Sequence, residues 1–89
     1  MIAKRVLIGG RVQGVGYRAW MVREAQSLGV WGWVLNRADG TVEAVVHGGT
    51  DAVEELLRRC RRGPMLAGVR TIDESAVEPP EEEGFRQVG

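Results

Sequence analysis

A glycine-rich segment followed by an arginine is the part of this sequence best suited to chemistry. Residues 10–18 read GRVQGVGYR and lie between a predicted strand and a predicted helix. Backbone N–H groups at such a junction lack helical partners and can converge on an anion. Glycines allow the positive φ values that fold these amides inward. Arg18, at the start of the helix, can hold a phosphoryl group through two hydrogen bonds. The segment is therefore predicted to bind an anion.

Three other interpretations of this loop fit the sequence less well. A nucleotide-binding P-loop ends in Gly-Lys-Ser/Thr, whereas this loop ends in Gly-Tyr-Arg and offers no hydroxyl for Mg²⁺. A dinucleotide fingerprint is matched superficially by Gly14, Gly16 and Ala19, but the residue about twenty positions on is Asn36 rather than an acid. Glycines needed only for a tight turn are the third interpretation, and Arg18 beside the loop argues against it.

The hydrophobic pattern predicts the elements that position this loop. Alternating apolar residues indicate strands over residues 3–10, 30–36, 41–47 and 68–73, and a 3.6-residue period indicates helices over 17–28 and from 51 to about 62. Residues 84–88 form either a short fifth strand or an extension of the fourth. The order β-α-β-β-α-β predicts an α+β, ferredoxin-like fold with a four-stranded antiparallel sheet and two helices on one face.

The ends of the helices also carry signals. Gly29 suits the left-handed residue that ends the first helix. Asp51 and Glu54 predict a capping box at the start of the second helix, and Gly63-Pro64 predicts its end.

Length and composition limit the class of protein. The 89 residues suffice for one domain, predicted to span residues 1–89, and 44% of them are hydrophobic. No apolar run reaches the roughly 18–20 residues of a membrane span. The segment from Met1 to Arg5 lacks the features of a signal peptide. Because Cys60 is the only cysteine, no internal disulfide can form, and a reducing cytoplasm is the expected location.

The charges balance overall but not along the chain. Twelve basic and twelve acidic residues give a formal charge of zero, which disfavours a strongly basic nucleic-acid binder. Residues 1–37 hold six basic residues and one acid, a charge of +5, and residues 38–89 carry −5. The basic half either attracts a small anion or simply neutralises the acidic half. No His, Cys, Asp or Glu cluster has the spacing of metal ligands, so no metal or other cofactor is predicted.

Two motifs together resemble the acylphosphatase family. Residues 8–18, IGGRVQGVGYR, resemble its first signature; residues 32–36, GWVLN, followed by DGTVE at 39–43, resemble its second. Gly48, Gly63-Pro64, Ala67 and Val69 also fit the family pattern, so the resemblance covers nearly the whole chain. Two positions depart from it: Tyr17 replaces the usual Phe, and Leu35 stands where a basic or small residue is usual.

The resemblance implies an enzyme that hydrolyses the carboxyl-phosphate bond of a small acyl phosphate to a carboxylate and inorganic phosphate. It implies that Arg18 and Asn36 are catalytic. The phosphoryl group is then bound by the backbone of the loop and by Arg18, namely Gln13, Gly14, Val15, Gly16, Tyr17 and Arg18. We expect Asn36 to orient a water, and Thr41 to hydrogen-bond Asn36 across the hairpin. A monomer without a cofactor, nucleic acid or membrane as partner is expected.

The sequence leaves two alternative functions open. One is a module with weak or no catalysis that binds carbamoyl phosphate or another phosphate ester. The other is a ferredoxin-like module that binds RNA or a protein partner, with Trp31 and Trp33 on one strand face. RNA-recognition domains of this fold also carry aromatic residues on the third strand, but the strand over 41–47 has none. We therefore expect both tryptophans to serve in packing. Glu24 and His47 are the available general bases, and neither is predicted to reach the loop.

Overall fold

The computed structural model describes residues 1–89 and contains seven elements. They are β1 (Ile2–Arg11), α1 (Tyr17–Leu28), β2 (Trp31–Asn36), β3 (Val42–Gly48), α2 (Thr50–Arg62), β4 (Gly68–Ala76) and β5 (Phe85–Gln87). The predicted ferredoxin-like α+β fold is confirmed, with the two helices on one face of the sheet. No helix has both the length and the apolar character needed to cross a bilayer.

The sheet has five strands in the order β4-β1-β3-β2-β5. The β1–β3, β1–β4 and β2–β3 pairs are antiparallel. The last strand is where the prediction needs correction: β5 pairs parallel to β2, so the sheet is mixed. Residues 85–87 do not extend β4, because they lie at the opposite edge of the sheet.

This topology brings the two signature motifs together. Because β1 and β2 each run antiparallel to β3, they run parallel to each other, with β3 between them. Their carboxyl ends therefore lie at the same edge of the sheet. The loop that follows Arg11 and the residue that ends β2, Asn36, are neighbours for this reason.

Apolar side chains from the sheet and both helices form one core. Val6 and Ile8 point from β1 toward the helices and are fully buried, as the alternation predicts. Met21 and Ala25 of α1 and Leu56 of α2 are fully buried against them. This packing fixes the start of α1 relative to β1, and so fixes the loop between them.

The predicted helix ends are correct except at the start of α2. Gly29 ends α1 in the left-handed conformation (φ 70°), and Gly63 follows the last residue of α2. The N-cap of α2 is Gly49, and no side chain caps it, so the predicted box between Asp51 and Glu54 is wrong. Asp51 lies one position inside the helix, where its charge still favours the helix dipole.

Candidate active site

The loop between β1 and α1 is open and bends at two glycines. Gly14 (φ 74°) and Gly16 (φ 80°) both have the left-handed backbone that glycine adopts without a steric cost. A Cβ at either position would meet no atom within 4 Å, so the backbone conformation rather than close packing requires glycine here. Gly16 is also the N-cap of α1. The loop therefore turns directly into the helix.

The backbone amides of this loop have no partners within the chain. The first hydrogen bond of α1 runs from Trp20 N to Gly16 O at 3.1 Å, so the amides of residues 17–19 precede it. The N–H groups of residues 13–16 make no backbone hydrogen bond, and no side chain accepts from them. A row of unpaired donors at a helix N-terminus, where the dipole is positive, is a site for an anion.

Arg18 lies at the start of α1 with its guanidinium unpaired. The side chain is half-buried, and it makes no ion pair and no hydrogen bond within the chain. Each of the eleven other basic side chains either forms an ion pair, as Arg37 and Arg59 do, or lies at the exposed surface. All five donors of Arg18 are therefore available to a bound anion.

Asn36 closes the other side of the site. It is the last residue of β2 and pairs with Val42 of β3. Its Oδ1 atom is buried and has no hydrogen-bond partner. Because a buried acceptor without a partner costs free energy, such an atom points to a function or a bound water.

Thr41 does not hold Asn36, and that expectation is wrong. The Thr41 hydroxyl donates to Asp39 Oδ1 at 2.7 Å, and the Thr41 amide donates to the same oxygen at 3.0 Å. An aspartate that accepts from the residue two positions on forms a local turn motif, and this local bond takes precedence over one across the hairpin. These hydrogen bonds also hold the pKa of Asp39 below its usual range.

A pocket of about 140 Å³ joins the loop to Asn36. It is lined by five of the predicted site residues, which are Gly14, Gly16, Tyr17, Arg18 and Asn36. The predicted binding residues Gln13 and Val15 belong to the loop but do not line the pocket. Val12, Ala19 and Gln87 line it and were not predicted.

Gln87 is a polar residue of the pocket that the sequence does not predict. It reaches the pocket because β5 pairs in parallel with β2, with Gln87 in register with Val34. A three-residue strand has no readable period, so the sequence carries no signal for this placement. Leu35, which departs from the family pattern, lies outside the pocket: Val34 is buried in the core, so Leu35 faces the opposite side of the sheet.

The remaining candidate groups lie elsewhere. Glu24 pairs with Arg59 at 3.3 Å. His47 is half-buried against Trp31, with the two ring centroids 6.2 Å apart. Cys60 is buried in α2, and burial raises the pKa of its thiol to about 12. None of the three lines the pocket.

Comparison with known proteins decides the family. The acylphosphatase family model matches residues 4–87. The chain belongs to the acylphosphatase family. A curated acylphosphatase from Acidiphilium cryptum is 62% identical over 85 residues, which cover 96% of this chain and 93% of that protein. The expectation of an acylphosphatase, an enzyme acting on acyl phosphates, is therefore confirmed at the level of the family.

Solved structures agree with this family assignment. The crystal structure of acylphosphatase from Bacillus subtilis superposes with a TM-score of 0.94 at 32% identity and covers 100% of both chains. Full-length HypF in the phosphate- and nucleotide-bound form contains a similar region, with a TM-score of 0.91 and 30% identity. That region covers 99% of this chain but 12% of HypF, so the same fold also occurs inside a much larger protein.

Proposed function

We propose that residues 1–89 act as one domain that hydrolyses the carboxyl-phosphate bond of a small acyl phosphate, with Arg18 and Asn36 as catalytic residues. The observation that carries this proposal is that two polar groups without hydrogen-bond partners line the same pocket. The unpaired guanidinium of Arg18 can hold an anion, and the buried, unpartnered Oδ1 of Asn36 can accept a hydrogen bond from water.

The loop and Arg18 bind the phosphoryl group in this proposal. The unpaired amides of residues 13–18 point partial positive charge at the phosphoryl oxygens, and the guanidinium donates to them in a bidentate manner. As the bond from phosphorus to the carboxylate oxygen breaks, negative charge builds up on the departing carboxylate and is redistributed over the phosphoryl oxygens. Preorganised donors stabilise such charge without reorganisation.

Asn36 positions the nucleophile. A water that donates a hydrogen bond to Oδ1 of Asn36 is held for attack on phosphorus, opposite the carboxylate oxygen. The water oxygen forms a bond to phosphorus while the bond from phosphorus to the carboxylate oxygen breaks. The electron pair of that bond leaves with the carboxylate, and the proton of the water passes to a phosphate oxygen. Because the carboxylate is a good leaving group, this route needs no side chain as general base.

The proposal extends to the setting of the reaction. The substrate in this proposal is a small molecule, in keeping with a pocket of about 140 Å³. The chain acts as a monomer in the cytoplasm, without a cofactor, nucleic acid or membrane. The paired motifs, which lie within one chain, support a site complete in a single copy.

The test is the hydrolysis of acetyl phosphate by the purified protein in EDTA. Arg18→Gln and Asn36→Ala are each expected to lower kcat/KM by at least about 10²-fold, the cost of one transition-state interaction. Arg23→Gln is the matched control, because it removes the same charge from the exposed side of the same helix. It is expected to keep the wild-type rate.

Each alternative predicts a different result. An Arg18→Gln enzyme with wild-type activity would refute the mechanism. Wild-type protein that binds inorganic phosphate but hydrolyses nothing would indicate a phosphate-binding module. Retention on immobilised oligonucleotides in place of activity would indicate an RNA-binding module.

A further inference from the structure

The sheet joins the two halves of the pocket only as far as Val42 of β3. The last β1–β3 pair is Ile8 with Val42, and the last β2–β3 pair is Asn36 with Val42. The loop over residues 12–16 and the turn over residues 37–41 both extend beyond these ladders. Asn36 is held by the last pair of the β2–β3 ladder, whereas the relative position of the loop and of the turn that follows Asn36 depends on contacts outside the sheet.

Gln13 supplies that link through its side chain. Its Nε2 atom donates to Arg37 O at 2.8 Å and to Thr41 O at 2.9 Å. Both acceptors are backbone carbonyls, so the side-chain amide group must present its NH₂ end, and both of its hydrogens are used. Arg37 comes directly after Asn36, so the contact lies one residue from the proposed catalytic amide.

The turn that Gln13 holds is itself ordered. Thr41 O also accepts from Arg37 N at 2.9 Å, and Arg37 O also accepts from Gly40 N at 3.2 Å. Asp39 closes the turn from within by accepting from the amide and the hydroxyl of Thr41. The side chain of Gln13 is therefore attached to a structured turn rather than to a flexible one.

We propose that Gln13 is a positioning residue that fixes Asn36 and its water relative to the phosphoryl group bound by the loop. This inference rests on the proposed hydrolysis. It separates two roles of one residue: the backbone amide of Gln13 belongs to the anion site, and its side chain aligns the nucleophile. Misalignment by about 1 Å lowers a rate by up to about 10²-fold. Because Asn36 contacts the water rather than the phosphoryl group in this proposal, binding of phosphate alone is expected to be independent of Asn36.

The test compares Gln13→Met with wild type, because methionine keeps the length of the side chain and removes both donors. We expect kcat for acetyl phosphate to fall by about 10- to 100-fold, while the Ki of inorganic phosphate changes by less than about threefold. Gln26→Met is the matched control: Gln26 Nε2 donates to Phe85 O at 3.3 Å, and the residue does not line the pocket. It is expected to keep the wild-type kcat.

Two results would overturn the role of Gln13. One is an unchanged kcat in Gln13→Met. The other is a Ki for phosphate that rises in step with the loss of kcat, which would show that the side chain only shapes the anion site. Inactive wild-type protein would instead refute the proposed hydrolysis, so the two failures are distinguishable.

A second variant serves if Gln13→Met does not fold. Asp39→Ala removes from the turn the two hydrogen bonds that Asp39 accepts from Thr41, at an exposed position, and leaves the loop untouched. It is expected to lower kcat by about three- to tenfold, again without a matching change in the Ki of phosphate. A wild-type kcat in that variant would then overturn the proposal.

Discussion

The hydroxyl of Tyr17 forms a buried hydrogen bond whose contribution to stability can be tested directly. The side chain is buried, and its hydroxyl donates to the carbonyl oxygen of Cys60 at 2.6 Å. In a continuing helix that carbonyl would accept from the residue four positions on, but this residue is Pro64, which has no N–H. The amide of Gly63 donates to Arg59 O instead. Tyr17 is therefore the donor that satisfies this carbonyl.

Tyr17→Phe should leave a buried carbonyl without a partner while the ring stays in place. The expected loss is about 1–3 kcal/mol in the free energy of unfolding, the cost of an unsatisfied buried acceptor. For a domain of this size each kcal/mol corresponds to about 4–8 °C in Tm. Because Arg18 and the loop amides keep their groups, kcat for acetyl phosphate well below Tm should stay within about threefold of wild type.

The assay is urea unfolding of wild type and variant, followed by circular dichroism. Ser27→Ala is the matched control, since the Ser27 hydroxyl also donates to a helical carbonyl, that of Glu24 at 2.8 Å, but at an exposed position. In Ser27→Ala water can replace that bond, so the free energy of unfolding is expected to change by less than about 0.5 kcal/mol. Equal stability of Tyr17→Phe and wild type would refute the reasoning, because the Cys60 carbonyl would then have found water or another donor.

The remaining predictions concern the thiol, one glycine and the core. The pKa of the buried Cys60 thiol is raised from 9.0 to about 12, so this thiol should resist iodoacetamide at pH 8 until the protein unfolds. Burial of the neutral thiol contributes fully to the free energy of unfolding below pH 9, and this contribution is lost as the pH rises toward 12. Alkaline unfolding of Cys60→Ala and wild type would reveal the difference. Gly63→Ala should lower Tm, because the new Cβ would lie 2.9 Å from a ring carbon of Tyr17 at a backbone φ of 69°; an unchanged Tm would mean that the ring moves aside freely. Leu56→Ala should lower the free energy of unfolding in urea by about 2–5 kcal/mol, because Leu56 is fully buried. Leu66→Ala, at a residue that is 65% exposed, should change this free energy by less than about 0.5 kcal/mol. Similar losses from both variants would contradict the assigned core.

The sequence by itself determined six of the seven elements and the glycine-rich loop between β1 and α1. The helix over residues 17–28 was predicted with its observed bounds, because a 3.6-residue apolar period and a terminal glycine are local signals. The buried face of β1 followed from alternation alone. The loop followed from glycine spacing, since a positive φ at Gly14 and Gly16 depends on the residue type rather than on distant contacts.

Only the tertiary structure decided which side chains complete the site. The position of β5 depends on pairing with β2, a contact between distant parts of the chain, so neither the parallel pair nor Gln87 in the pocket was readable from local pattern. The partners of Gln13 and Tyr17 lie 24 to 43 residues away. The expected bond from Thr41 to Asn36 across the hairpin is the opposite case, because a local bond to Asp39, two residues away, takes its place. Periodicity reports the face a residue occupies, whereas hydrogen-bond partners across the fold are set by the packing of the whole chain.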